Sequence, residues 1–337
     1  MRKSNEKFLF LHHEKGFSFL LISVAIVFLS AFANTQTSKN ITTKAQLGEK
    51  LFFDNILSSD RSISCASCHI PQFAFADTLA FSHGVNGKMT ARNTPSVMNM
   101  AARDIYFFDG RAASLEAQVV FPIENPNEMN LPFHLAVERI NHSKEYRKLF
   151  FQIYKKYPDS TLIVDAIAHF EKTLETEHTP NDRWMNDQPD AMTASQLRGR
   201  ELFTGDKTKC FECHFTPDFT SDEFKNIGLF NGNELNDSGR YAITKNPNDI
   251  GRFKIPGLRN VAVTAPYMHD GRFKTLEEVV NFYSDSLKYS PNIDPLMQLF
   301  FQGGSRLNQL EKQQLIAFLK TLTDESFRNN PKFQNPF

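Results

Sequence analysis

The four cysteines of this 337-residue chain fall into two pairs whose spacing suits covalent attachment of a cofactor. Each pair is spaced C-x-x-C and a histidine follows at once, in residues 65–69 (CASCH) and 210–214 (CFECH). In this signature two thiols add to the vinyl groups of a haem, and the adjacent imidazole binds its iron. A zinc site also uses C-x-x-C pairs but needs no histidine after each one. The sequence therefore predicts two c-type haems, held by Cys65, Cys68, Cys210 and Cys213, with His69 and His214 as proximal iron ligands.

Matching sequence surrounds the two motifs. GEKLF (48–52) precedes the first motif and GRELF (199–203) precedes the second. Downstream, YFFDGR (106–111) and SLE (114–116) correspond to YMHDGR (267–272) and TLE (275–277), and RN occurs at both 92–93 and 259–260. Self-similarity of this kind indicates repetition of a structural unit. We interpret the chain as two copies of one haem module.

Helices are the elements expected to position these motifs. One apolar helical face is predicted from Ile163, Ala166, Ile167, Phe170 and Leu174, and another from Leu315, Phe318, Leu319 and Leu322. Long polar segments such as 226–256 are expected to close over the haems as loops. The prediction is a mainly α fold of two cytochrome c-like haem domains related by internal duplication. The N-terminal domain spans residues 41–190 and the C-terminal domain 191–325, with a polar stretch at 181–190 near the boundary.

The N-terminus and the overall charge bear on location and partners. Basic residues flank an apolar run at 17–32, which ends in Ala31-Phe32-Ala33, as in a cleaved signal peptide. We expect residues 1–33 to be a signal peptide and the remainder to be periplasmic; a retained membrane anchor is the alternative. Thirty-eight basic and 38 acidic residues leave no net charge, so nothing indicates a nucleic-acid partner.

Beyond both haem motifs, several blocks resemble one protein family. They are RNTP (92–95), DGR (109–111), EM (128–129), LRNV (258–261) and APYMHDG (265–271). Together they make the chain, from about residue 47 to residue 322, similar to the bacterial di-haem cytochrome c peroxidases and the related MauG-type enzymes. In that family the first haem is the peroxide site, and the second is the haem at which electrons enter.

The resemblance implies roles for three residues around the first haem. His83 matches the loop histidine that caps the iron in resting classical members and leaves on activation; a surface loop histidine is the alternative. Glu128 matches the distal acid that moves a proton between the oxygens of peroxide. Gln118 matches a partner in the distal pocket. For both, a solvated surface position is the alternative interpretation.

The resemblance also implies a calcium ion and external partners. Asn93, Thr264 and Pro266 match the positions that hold calcium between the domains, through an amide oxygen and two backbone carbonyls; ordinary turn residues are the alternative. The expected electron donor is a small soluble cytochrome c or copper protein. Family members are often dimeric, so a homodimer is also an expectation.

Two positions depart from the classical pattern. The sixth ligand of the second haem is a methionine in classical peroxidases, but counting from the TLE block places Tyr283 there, as in MauG-type enzymes. Met268 and Met297 remain competing ligands. Phe108 occupies the place of the tryptophan that usually precedes DGR between the haems, and phenylalanine is much harder to oxidise.

These residues predict a peroxidase that reduces hydrogen peroxide to water with electrons from the soluble donor. A MauG-like enzyme that oxidises a protein or an aromatic substrate through a high-valent state is the enzymatic alternative, which Tyr283 favours. A non-catalytic di-haem electron carrier is the other alternative, and Glu128 and His83 argue against it.

Overall fold

The computed structural model describes residues 40–229, 237–301, 306–328 and 330–337. The predicted signal peptide lies outside the described residues. Within those ranges, no helix is both long enough and apolar enough to cross a membrane.

Helices dominate the described chain, as predicted. In chain order they are α1 (Lys44–Phe53), α2 (Leu115–Glu124), α3 (Phe133–His142), α4 (Lys144–Tyr154), α5 (Ser160–Glu171), α6 (Pro180–Met185), α7 (Ala194–Thr204), α8 (Tyr241–Thr244), α9 (Leu276–Asp285), α10 (Pro295–Phe301), α11 (Gln309–Lys320) and α12 (Glu325–Arg328). The two short strands, β1 (Phe224–Lys225) and β2 (Phe253–Lys254), pair antiparallel. Both haem motifs begin with a single 3₁₀ turn, Cys65–Ser67 and Cys210–Glu212.

Equivalent helix crossings lie near the two haem motifs, and the parts of the chain that carry the first and the second motif are called here the first and the second half. Helix α1 crosses α5 at Gly48, where an added Cβ would lie 1.9 Å from the carbonyl oxygen of Ala166. Helix α7 crosses α11 at Gly199, where an added Cβ would lie 1.9 Å from the carbonyl oxygen of Gln314. Each pair of backbones can approach this closely only because the crossing residue is glycine. The repeated glycine of the two GxxLF blocks is thus explained by helix packing.

A triad of phenylalanines supports each crossing. In the first half, the Phe52 ring lies 5.2 Å from Phe170 and 6.0 Å from Phe75, measured between centroids. In the second half, the Phe203 ring lies 5.0 Å from Phe318 and 6.0 Å from Phe219. Tilted and edge-to-face contacts of this type stabilise aromatic clusters beyond the burial of their area. The internal duplication predicted from the sequence is therefore repeated in the packing of the core.

The helical faces predicted from periodicity are buried. All five apolar residues predicted on the first face and all four on the second are at most 7% exposed. The C-terminal segment was not anticipated in this role. Phe327 and Phe333 pack into the hydrophobic core of the first half, against Phe75 in the case of Phe333.

Partly buried ion pairs join the two halves. Arg103 donates to Asp218 and Asp222 at 2.5 and 2.7 Å. Arg259 donates to Asp182 and Asp218 at 2.8 and 3.0 Å. Bonds between ionised partners are stronger than neutral ones when both groups are desolvated. They tie the segment around Arg103 and helix α6 to the segment that follows the second haem motif.

Candidate functional site

The two predicted proximal histidines have the same local geometry. His69 Nδ1 lies 2.9 Å from the carbonyl oxygen of Phe75, and His214 Nδ1 lies 2.9 Å from that of Phe219. Both phenylalanines have left-handed backbone, with φ of 56°, which turns each carbonyl towards the ring. A donor at Nδ1 leaves Nε2 as the atom available to a metal. Burial lowers the pKa of both histidines, which keeps the rings neutral as iron ligands must be.

The four thiols lie beside these rings and form no disulfides. Each motif is closed by a backbone bond of 2.9 Å, from the histidine N–H to the carbonyl of the first cysteine. Burial raises the pKa of all four thiols, to about 11 in Cys68 and Cys213. The thiols are therefore neutral. Their arrangement fits thioether attachment better than a metal–thiolate cluster.

An apolar cavity of about 350 Å³ surrounds the second motif. Its walls include Cys210, Cys213 and His214, together with Leu315 and Leu319 of α11. Ligand sites are typically apolar cavities of this size with a few polar groups. The residues present therefore fit a haem bound through this motif.

Three predicted candidates for the sixth ligand line this same cavity: Tyr283, Met268 and Met297. Burial raises the pKa of Tyr283, and the nearby thiols Cys213 and Cys210 raise it further. Without a cation the phenol is neutral, so ligation as phenolate would depend on the iron's charge. All three side chains therefore remain candidates in the structure. The choice of Tyr283 as the sixth ligand stays a prediction.

Glu128 lies in a loop that folds back along α2. Met129 N–H donates to the Pro122 carbonyl at 3.1 Å, and Asn125 Nδ2 donates to Glu128 Oε1 at 2.6 Å. Burial raises the pKa of Glu128, while Asn125 and then Arg111 lower it. The Glu128 charge also raises the pKa of Cys65 and Cys68 slightly, so the carboxyl lies near the first haem motif. The arrangement suits a group that exchanges a proton near that motif.

Two neighbours of Glu128 were not assigned roles from the sequence. Asn125 holds the carboxyl directly, and Arg111 stacks 3.5 Å from the Phe107 ring while pairing with Asp109. Arg111 belongs to the DGR block, and this block was the sequence signal that could have identified it as a site residue. Gln118 is half-buried on α2.

The loop that carries His83 is tied to the Glu128 loop. Val85 N–H donates to the Glu128 carbonyl at 2.9 Å, and a Cβ on Gly84 would meet the Asn127 carbonyl oxygen at 2.1 Å. Ser82 is fully buried and bonds Asp77, whereas the His83 side chain is exposed. The ligand role of His83 remains a prediction for another state of this loop.

The three predicted calcium ligands line one cavity, and the site itself stays a prediction. Asn93, Thr264 and Pro266 are among the residues around the large cavity at the second motif. Asn93 Nδ2 donates to the Leu79 carbonyl at 3.0 Å, which leaves its amide oxygen available to a cation. In the described part of the chain, no group of three or more His, Cys, Asp or Glu side chains is placed to hold a metal. The predicted calcium ligands are a side-chain amide oxygen and two backbone carbonyl oxygens. They are not His, Cys, Asp or Glu side chains, so the absence of such a group does not bear on them.

Phe108 and its duplicate, His269, meet between the halves. Their ring centroids lie 6.5 Å apart, and His269 stacks on Phe253 at 3.7 Å. His269 is 4% exposed, and burial lowers its pKa to about 4. Aromatic rings therefore occupy the space where the usual tryptophan is absent.

Comparison with known proteins gives consistent matches. A family model described as di-haem cytochrome c peroxidase matches residues 42–190. The methylamine utilization protein MauG of Methylorubrum extorquens is 38% identical over 84% of this chain and 78% of its own length. The cytochrome c551 peroxidase of Nitrosomonas europaea is 33% identical over 95% of this chain and 93% of its own length.

A solved structure agrees with these matches. The crystal structure of a MauG-like protein associated with microbial copper homeostasis superposes with a TM-score of 0.79 and 31% identity. The match covers 87% of this chain and 93% of that one.

Proposed function

Because this chain belongs to the family of di-haem cytochrome c peroxidases and MauG proteins, we propose that it reduces hydrogen peroxide to water. The electrons come from a small soluble redox protein. The observation that carries the proposal is a duplicated haem-binding geometry with a half-buried acid, Glu128, near the first motif.

Each motif would hold one haem. Cys65 and Cys68 would attach the first and Cys210 and Cys213 the second, with the following histidine as the residue that would bind iron. The haems supply the electron transfer to peroxide, which side chains of this protein do not perform. The chain itself provides orientation of the imidazoles, exclusion of water and movement of protons.

Glu128 moves the proton at the first site. Its Oε1 accepts from Asn125, so the other carboxyl oxygen is the one left to take a proton from one peroxide oxygen and deliver it to the other. A pKa raised by burial brings the carboxyl closer to the working pH, where it both accepts and releases a proton readily. Gln118 would assist in positioning peroxide.

The exposed His83 suits either an activated state or a protein that needs no activation. A classical enzyme would bring His83 to the iron when fully oxidised and release it on uptake of one electron. The bond from Val85 to the Glu128 carbonyl would carry that movement to the distal acid.

Tyr283 gives the second candidate function its support. A phenolate stabilises oxidised iron and lowers the haem potential, whereas methionine raises it. With Tyr283 bound, the second haem would accept electrons poorly from an ordinary donor. The enzyme would then oxidise a protein or an aromatic substrate, as MauG-like enzymes do, instead of reducing peroxide with electrons from a donor protein. An electron carrier without catalysis is the remaining alternative and predicts no peroxide turnover.

Calcium, location and assembly complete the proposal. Asn93, Thr264 and Pro266 would hold a calcium ion between the halves, since oxygen ligands suit this hard cation. Export by residues 1–33 would place the enzyme in the periplasm, where it could work as a homodimer. The domain bounds at 41–190 and 191–325 belong to the same proposal.

A redox titration followed by optical and EPR spectroscopy, with and without peroxide, tests the function. For a classical peroxidase we expect one high-potential haem and reaction with peroxide only after one-electron reduction. Two low potentials, with immediate formation of a long-lived oxidised state, would support the MauG-like function. Tyr283→Phe should change the second haem's spectrum if Tyr283 is its ligand, and Met297→Leu serves as the matched control. Absence of peroxide turnover in either redox state would refute both enzymatic proposals.

A further inference from the structure

Glu171, the last residue of α5, is a buried acid that the mechanism above does not use. Its side chain belongs to a residue only 4% exposed, and Oε2 has no hydrogen-bond partner among the described residues. A buried, unpaired carboxyl is unfavourable for folding. Its presence at the end of an amphipathic helix therefore points to a role other than stability.

The duplication locates Glu171 relative to the first haem. Phe170 and Phe318 are equivalent members of the two aromatic triads, so Glu171 corresponds to Leu319. Leu319 lines the cavity of the second motif beside Cys210. Among charged groups, Glu171 is the one that most raises the pKa of Cys65, the equivalent of Cys210. The duplication thus places Glu171 near the first haem motif, at the position where the second half has a leucine.

The surroundings decide the protonation of Glu171. Burial, and then the charge of Glu116 on α2, raise its pKa to about 8. The Tyr106 phenol lies near it and bonds two backbone carbonyls. Helix α1 faces α5 here with the apolar ring of Phe52. No described cation opposes this effect, so Glu171 holds its proton near neutral pH.

A route to solvent leads away from Glu171. Glu116 bonds Lys172 Nζ at 2.7 Å, and the two side chains are 34% and 39% exposed. The Glu116 carboxylate is close enough to Glu171 to raise its pKa, and it is also partly exposed to water. A carboxylate in this position can pass protons between a buried acid and solvent.

We propose that Glu171 takes up a proton when the first haem is reduced and releases it, through Glu116, when that haem is oxidised. The proposal rests on the attachment of haem to Cys65 in the proposed function. The electron comes from the external donor and the proton from solvent. Oxidised iron carries one more positive charge and favours the carboxylate, whereas reduced iron favours the acid. The second haem, with Leu319 at this place, lacks the coupled group.

Glu171→Gln in the full holoprotein tests the coupling. The midpoint potential of each haem is measured in wild type and variant from pH 5 to pH 9. At low pH the first-haem potentials should coincide, because both side chains are neutral. With rising pH the wild-type potential should fall below that of Glu171→Gln, and the second-haem potentials should not separate. A difference that is absent, or constant across this pH range, would overturn the proposal.

A second variant keeps the test decisive if Glu171→Gln does not fold or does not acquire its haems. Glu171→Leu carries the residue that the second half already uses, and it should show the same pH-dependent difference. Glu116→Gln should slow proton exchange with solvent, seen as slower reduction kinetics of the first haem at unchanged second-haem kinetics. Peroxide consumption and the haem content of the Cys65 peptide are measured in parallel. Absence of haem from that peptide would refute the proposed function itself, whereas normal haem with pH-independent differences would refute only the role of Glu171.

Discussion

Replacement of Gly48 by alanine should separate the α1–α5 crossing and destabilise the first half. The added Cβ would lie 1.9 Å from the Ala166 carbonyl oxygen, 2.6 Å from its carbonyl carbon and 2.9 Å from Phe170 Cβ. Non-bonded carbon atoms prefer separations of about 3.5–4.0 Å, so the helices must move apart by roughly 1.5 Å. Two of the three atoms are backbone, which leaves no side-chain rotation to relieve the clash.

The cost follows from that movement. Overpacking of a core usually costs about 1–3 kcal/mol, and we expect about 4 kcal/mol here because the helix itself must shift. Alanine's better helix propensity offsets about 1 kcal/mol. The net loss of about 3 kcal/mol should lower the melting temperature by about 5–10 °C. Gly199→Ala should have a similar effect on the second half, where the clash with Gln314 is equally short.

Thermal unfolding followed by circular dichroism, with haem content from optical spectra, measures the effect. Ser195→Ala is the control, because Ser195 is exposed on α7 one turn before Gly199. It should change the melting temperature little. An unchanged or raised melting temperature in Gly48→Ala would show that the crossing is not limited by this contact.

Three further predictions concern the acid and the interface. Glu128→Gln should slow peroxide reduction by about 10²–10⁴-fold in stopped-flow assays at unchanged haem content, while Glu138→Gln on exposed α3 should not. Because burial raises the pKa of Glu128, activity should be lost as pH falls through a value above 4.5. Asn125→Ala removes a bond that lowers this pKa, so the acid limb should move to higher pH; movement to lower pH would contradict the assignment. Asp182→Asn weakens the partly buried pair with Arg259 and should reduce the unfolding free energy by about 2 kcal/mol in denaturant titrations; an unchanged midpoint would count against this pair's role.

The sequence contained the covalent part of the site and the helical framework. Spacing alone gave the two haem motifs, and periodicity gave the buried faces of α5 and α11. The carbonyl partners of His69 and His214 could not be predicted, since they depend on left-handed turns at Phe75 and Phe219. Neither residue type signals such a turn.

Groups joined only by tertiary packing were also beyond prediction. Nothing in the sequence around Asn125 showed that its amide holds the Glu128 carboxyl. Glu171 followed an apolar helical face and preceded Lys172, as many solvated acids do. Its burial is visible only in the structure, where Glu171 occupies the position equivalent to Leu319 of the second half.

The carbonyl partners of the two histidines affect how much electron density each iron receives. A neutral carbonyl leaves the Nδ1 proton on the ring, whereas a carboxylate would draw it away and make the imidazole a stronger donor. Both His69 and His214 have the neutral partner, at the same 2.9 Å. The two imidazoles should therefore donate electron density to their irons only modestly, and to the same extent at both haems. We therefore expect a division of labour between the two haems to come from residues that the duplication did not preserve, such as Glu128, Tyr283 and the Glu171–Leu319 pair, and not from the proximal ligands.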